Sequence, residues 1–325
     1  MERVYSLYLK MFTIERKNFD GIEKVMLINK LSGEYLSIIP SYGGNVNELV
    51  LRKGDRLHEL IAGDKTIEEL SGIDGNAFRG AKLSPFPNRV NKASYFFKGK
   101  QYPLSPNNFP HALHGLLWNV PFEFKGQELK NEFASITLVK QYKNEQAGFP
   151  FHYSIEIEYT LQPNSFSART TIVNTSLESI LMGDGWHPYF STGLSIDTLK
   201  LHLPSSKRLV LDDFLIPTGT YSKDDRFLVP MNLDGIVLDH CFEVEAIDGV
   251  VETQLIDETK NITVTIFQKT GKQGYNFIQV YTPPNRKSIA IEPMSCAPDA
   301  FNNEKGLTIL APGESVGYEF GVRLG

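Results

Sequence analysis

The sequence predicts an all-β fold, a large antiparallel sandwich or barrel, on three observations. Apolar residues recur at every second position over long stretches, as in strands with one buried and one solvated face. Short clusters of Gly, Pro, Asn and Ser separate those stretches. Strands do not alternate with long helices, which argues against a parallel sheet built from βαβ units.

Along the chain, Glu23 to Asn29 and Glu34 to Ile39 show the alternation first, parted at Gly33, and Phe133 to Gln141 follows. Tyr153, Ile155, Ile157, Tyr159 and Leu161 then alternate with Ser154, Glu156, Glu158 and Thr160. The cluster Gln162-Pro163-Asn164-Ser165 turns this strand back into Phe166 to Val173, so the two form a hairpin. Asn261 to Gln268, Tyr275 to Tyr281, Ser288 to Glu292 and Val316 to Val322 complete the set. One short helix is expected at Asp64 to Leu70, with Asp64 as N-cap and Gly72 as stop.

The 325 residues suffice for a large core, and with no linker tract or repeat they read as a single domain, residues 1–325. Hydrophobic residues make up 41% and charged residues 22%, the mix of a soluble globular protein. The net charge of −5 argues against nucleic acid or an anionic membrane as partner, because both call for a basic surface. No run approaches the roughly 18 apolar residues of a membrane span. Met1 to Lys10 carries Glu2 and Arg3 and lacks the apolar centre of a signal peptide, so a cytoplasmic protein starting at Met1 or Met11 is expected. Cys241 and Cys296 have no metal-type spacing and read as buried free thiols.

Chemistry-bearing residues concentrate in a few unusual runs. His111 and His114 lie in His-Ala-Leu-His-Gly, His187 lies in Gly-Trp-His-Pro-Tyr-Phe, and Glu292 precedes Pro293. Two imidazoles and a carboxylate are the parts of a proton-transfer site at neutral pH. Taken singly, each has an ordinary alternative: a core histidine satisfied by a carbonyl, or a solvated strand end. Pro110 and Gly115 flank the histidine pair, so His111 and His114 do not share a helix face, and zinc is weakly supported. A metalloprotein using His111, His114 and His187 stays open at this point. Pro85 and Pro87 stiffen the chain before Asn88-Arg89, which makes Arg89 a candidate for a polar ligand against the commoner fate of a surface ion pair. Asp239 could accept from hydroxyls of a polyol or simply form a turn. The aromatic run Trp186 to Phe190 would suit a small-ligand wall or a core corner.

In order along the chain, these runs resemble the aldose 1-epimerase (galactose mutarotase) family. Asn88-Arg89-Val90 looks like its Asn-Arg-Ile segment, with Ala93, Tyr95, Gly99, Tyr102, Leu104 and Asn107 as its continuation. Leu113-His114-Gly115, His187-Pro188-Tyr189-Phe190, Asp239-His240-Cys241-Phe242 and Glu292-Pro293 look like the later motifs, and Pro298-Asp299-Ala300 with Asn302 follows the last of them. The resemblance covers roughly residues 35 to 305. Departures from the pattern, namely Leu116 after His114-Gly115 and His111 where the family commonly has Asn, mark a divergent subgroup.

The resemblance implies a β-supersandwich and the interconversion of α and β anomers of a free aldohexose. It implies Glu292 as base, His187 as acid and His114 as stabiliser of developing charge, with Arg89, Asp239, Asn88 and His111 holding the sugar. It calls for no cofactor and no metal, and for no partner beyond a small sugar; a monomer or homodimer is expected. Two other readings stand beside it: a hexose-phosphate epimerase using Arg79, Lys82, Arg89, Lys92 and Arg286, or a carbohydrate-binding protein without catalysis.

Overall fold

The computed structural model describes residues 11–61, 63–72, 78–245 and 248–325. The alternation read from the sequence becomes strands with closely similar bounds. Tyr153 to Leu161 lies within His152–Gln162, and Phe166 to Val173 within Ser165–Asn174. In the former every second residue is buried, so the period of two sorts apolar side chains inward and polar ones outward.

Among the described residues the two main sheets have thirteen and nine strands. The larger begins as a meander of Phe12–Phe19, Ile22–Asn29, Tyr35–Ile39, Asn45–Lys53 and Arg56–Ile61. It continues through Tyr189–Phe190, Ile289–Met294, Phe277–Tyr281 and Asp239–Glu243 to Lys207–Leu211 and Pro217–Lys223. The smaller sheet is centred on His152–Gln162, Ser165–Asn174, Ser315–Leu324 and Ile262–Thr270, all paired antiparallel. Ile278, Val280, Ile289 and Ile291 of the large sheet share one buried cluster with Ile155, Ile157, Phe166 and Phe320 of the other. Each such side chain contributes roughly 1.5–3 kcal/mol by leaving water. The fold is an all-β sandwich, as the alternation indicated.

Several local expectations change. The helix is shorter than expected, Ile67–Leu70, and its cap is Thr66, whose Oγ1 accepts from the backbone N–H of Glu69 at 3.2 Å. Asp64 instead receives Arg79 at 2.6 Å. The charged run Arg56 to Glu59, with His58 in it, belongs to the strand Arg56–Ile61. Ser288 to Glu292 extends through Pro293 to Met294, so Glu292 lies inside a strand rather than at its end. Cys241 and Cys296 are buried and free, as expected. No helix among the described residues is long and apolar enough to cross a membrane.

Gly115 has φ +77°, and a Cβ on it would lie 2.3 Å from the carbonyl oxygen of Ser84. Gly115→Ala combines left-handed strain with a backbone collision. It should lower stability by about 2 kcal/mol or more, read as a fall in urea midpoint at unchanged slope; an unshifted midpoint contradicts this packing.

Candidate active site

The site begins with register. Glu292 pairs with Gln279, Gln279 with Cys241, and Tyr281 with Asp239. Directly paired residues share a face, and so do residues two apart along one strand. Asp239, Gln279, Tyr281 and Glu292 therefore project from the same face of the large sheet, opposite to Ile278, Val280 and Ile291.

On the other side of Ile289–Met294 the pairing is interrupted. Gly185 pairs with Met294, and Tyr189 and Phe190 pair with Ala290 and Ile289. The register is the same on both sides of the break, which sets His187 opposite Glu292. Pro188 follows His187 and Pro293 follows Glu292, and neither has an N–H to give to a ladder. Two strands thus run side by side without closing, and the two polar side chains meet across the gap. His187 Nε2 lies 3.3 Å from Glu292 Oε1, with both residues at most 5% exposed.

A covering segment supplies the rest. Arg89–Val90 pairs with Ala112–Leu113, bringing Asn88 and His114 together. Both have positive φ, 55° and 62°, a conformation that Asn and His adopt more readily than most residues. His114 N donates to Asn88 O at 2.9 Å, and Asn88 N donates to His114 Nδ1 at 3.3 Å. Nδ1 is therefore an acceptor, so the neutral ring carries its proton on Nε2. Asn88 Oδ1 also accepts from Arg89 N at 2.8 Å and Arg89 Nη1 at 3.3 Å, which orients the guanidinium.

The result is an open cavity of about 400 Å³. His114, His187 and Glu292 are buried in its floor, and Asn88, Arg89, Asp239, Gln279, Tyr189 and Tyr281 are among its walls. The His114 and His187 rings meet edge to face at 5.0 Å, and His187 stacks on Tyr189 at 4.8 Å. Gln279 Nε2 donates to Asp239 Oδ1 at 2.5 Å. A larger cavity of about 720 Å³ lies on the other side of Tyr189, among Ser191, Leu194 and Arg286. It contains no imidazole–carboxylate pair, so chemistry rather than volume selects the smaller one.

Burial shifts both members of the central pair toward their neutral forms. Desolvation pushes the Glu292 carboxyl well above the usual carboxylate range, neighbouring Asp239 adds to this, and Arg89 draws it back. Desolvation lowers His187 to about 3 and holds His114 well below its ordinary value. Glu292 Oε2 is buried and without a partner among the described residues, free for a ligand.

One donor atom from each of His114, His187 and Glu292 lies within 4.8 Å of the others, a spacing from which a metal site could be built. The hydrogen bonding around the imidazoles does not fit one. Metal-bound imidazoles almost always donate their other ring N–H to an acceptor. His114 Nδ1 receives a hydrogen bond instead, and His187 Nδ1 makes none among the described residues.

Six of the seven residues singled out from the sequence meet in this cavity. The seventh, His111, does not line it: its Nδ1 accepts from Lys92 N at 3.2 Å and its ring faces Phe214. Gln279, Phe78, Asn108 and Tyr281 line the cavity without having been singled out. Of these, Gln279 had a signal, a lone amide in an apolar strand two residues before Tyr281.

Fold and site together define a β-sandwich protein with a buried imidazole–carboxylate pair at the bottom of an open cavity. The chain belongs to the aldose 1-epimerase family, whose profile matches residues 26–323, somewhat beyond the segment carrying the motifs. It is 25% identical over 296 residues to the uncharacterised protein YihR of Escherichia coli, covering 88% of this chain and 89% of that one. It is also 25% identical to the galactose mutarotase of Bos taurus, over 56% of this chain and 53% of that one. Among solved structures, a galactose mutarotase-like protein from Clostridium acetobutylicum superposes with a TM-score of 0.86 at 18% identity, covering 97% of this chain and 99% of that one.

His187 makes stability depend on pH. Unfolding returns it to its ordinary value of 6.5, so the unfolded chain gains a proton below that pH, while the folded protein gains it only near 3. Stability through this group is therefore lost as pH falls from 6.5 toward about 3. Glu292, raised on folding, works in the opposite sense, favouring the folded state at low pH. His187→Gln should flatten the acid-side loss by up to a few kcal/mol, measured by urea unfolding at about pH 7 and about pH 4. Parallel pH profiles for the two proteins would mean that His187 is not held neutral.

Proposed function

We propose that the protein is an aldose 1-epimerase that interconverts the α and β anomers of a free aldohexose. The observation that carries this reading is the 3.3 Å contact of His187 Nε2 with Glu292 Oε1, on the floor of a cavity walled by polar groups. Glu292 takes the proton from the C1 hydroxyl, and the C1–O5 bond breaks with its electrons moving to the ring oxygen. His187 gives that oxygen a proton. The open aldehyde turns about C1–C2, and the same steps run backwards on its other face. No electrons leave the substrate, so the reaction calls for no redox cofactor.

The pair's two proton arrangements suit this cycle. Carboxylate plus imidazolium is the reactive form; carboxylic acid plus imidazole is what ring opening leaves behind. Both contain the same number of protons. Burial makes the neutral pair the resting form, Arg89 draws Glu292 back toward the carboxylate, and the reactive form arises when the proton of Glu292 passes to His187 across their 3.3 Å contact. His114, with its proton on Nε2, donates to the oxygen that gains charge. Arg89 donates to ring hydroxyls, and Asp239, steadied by Gln279, accepts from them.

A phosphorylated hexose is less well served. Of the five cations considered for a phosphate, Arg89 alone lines this cavity. Lys82 is buried against Asp184, Arg79 meets Asp64, and Arg286 is held by Asp197. Glu292 and His187 are both present, which speaks against a binding protein without catalysis.

Polarimetry of freshly dissolved α-D-glucose and α-D-galactose tests the proposal. Rotation should relax faster with protein than in buffer; equal rates across several sugars would sink it. Glu292→Gln and His187→Asn should each lower kcat by about 10²–10⁴-fold. Arg89→Ala should act chiefly on KM, and unchanged kinetics in all three variants would overturn these roles.

A further inference from the structure

We infer that the buried Lys82–Asp184 ion pair positions His187 against Glu292. The inference rests on the reaction proposed above. The strand Gly185–His187 has no ladder to Ile289–Met294 at His187, so that neighbour cannot by itself fix the separation of the two side chains. Its other edge does the holding. Gly185, Trp186 and His187 pair there with Leu83, Lys82 and Ala81, and Gly80 N donates to His187 O at 2.9 Å.

Both members of the pair are fully buried, and the Lys82 ammonium donates to Asp184 Oδ1. Lys82 Nζ also donates to Thr170 Oγ1 at 3.0 Å and sits 4.5 Å from the centroid of the Trp186 ring, next in sequence to His187. Tyr275 Oη donates to the same Asp184 oxygen at 2.6 Å. The backbone of Asp184 then reaches the strand end beyond Glu292: its N–H donates to Ser295 Oγ, and its carbonyl accepts from Ser295 N, both at 2.8 Å. One aspartate thereby ties three strands together, those of Lys82, His187 and Glu292.

Stability alone does not account for such a pair. Well-packed apolar replacements of a buried ion pair are often as stable or more so. Directional bonds confer a single orientation, whereas apolar side chains of similar volume permit sliding. Neither residue lines the cavity, so any effect on turnover must pass through the strands they hold.

The test is the paired replacement Lys82→Met with Asp184→Leu, alongside Tyr275→Phe, which removes only the hydroxyl holding Asp184. The double variant should keep its Tm, lose about ten- to a hundredfold in kcat, and keep KM within about twofold. Tyr275→Phe should lose a few fold in kcat in the same manner. The ring ¹⁵N resonances of His187, sharp in the parent, should broaden or split in both variants. A Tm change with parental kcat and an unaltered His187 spectrum, in either variant, overturns the inference. Should the double variant not fold, Tyr275→Phe carries the decision. If the parent itself does not interconvert anomers, the proposed function fails, and the His187 spectrum alone decides whether the pair positions the ring.

Discussion

The interrupted ladder between the strands of His187 and Glu292 is the constraint from which the site follows. A continuous antiparallel ladder would fix those backbones at hydrogen-bonding distance along their whole length. Here each polar residue is followed by a proline, Pro188 on one strand and Pro293 on the other, and the ladder is absent where those donors would be needed. Ile291 N reaches Pro188 O only at 3.4 Å. The opening places an imidazole and a carboxylate opposite each other in register. It also shifts the task of holding them to neighbours on either side: Lys82 and Asp184 on one edge, the pairing with Phe277–Tyr281 on the other.

Burying an imidazole and a carboxylate side by side works against both charged forms. A lone buried carboxylate would simply stay protonated. The counterweight is Arg89, itself buried enough that desolvation lowers it, and held charged by Asp239 and Glu292. Asn88 fixes this counterweight and, through its own N–H, the tautomer of His114. A single asparagine in a left-handed turn thus both orients Arg89 and sets the tautomer of His114. This is a role in orientation, beside any contact Asn88 itself makes with a ligand.

How much of this was legible in the sequence depended on whether the signal was local. The strand Tyr153 to Leu161 could be read because its alternation is written within a few consecutive residues. Phe12–Phe19 was missed because, with four consecutive exposed residues at its centre, it shows no alternation. His187, Glu292, Arg89 and Asp239 stood out only as parts of ordered motifs. The opposition of His187 and Glu292 was not visible, since register between strands about a hundred residues apart has no local trace. The same holds for Lys82, which was counted among the cations for a phosphate and is wholly buried. His111 was placed among the sugar-holding residues by its position in the family motif, and a motif position does not show that the ring turns toward Phe214.

Charge balance in the cavity bears on what it accepts. Its one cationic side chain among the described residues, Arg89, already faces two carboxyl groups, Asp239 and Glu292. A ligand bringing its own anionic group would have to compete with both, and neither carboxylate has a second cation to turn to within the cavity walls. A neutral polyol meets the opposite situation. On the proposed reading its hydroxyls would donate to the free oxygen of Glu292 and to Asp239, and accept from Arg89 and from the Nε2–H of His114. Every charged group then keeps its partner while water is displaced, which is the condition under which burying charge is tolerable. On the proposed reading, the arrangement that keeps the His187–Glu292 pair in balance therefore suits an uncharged polyol better than a charged one, without any residue dedicated to excluding the latter.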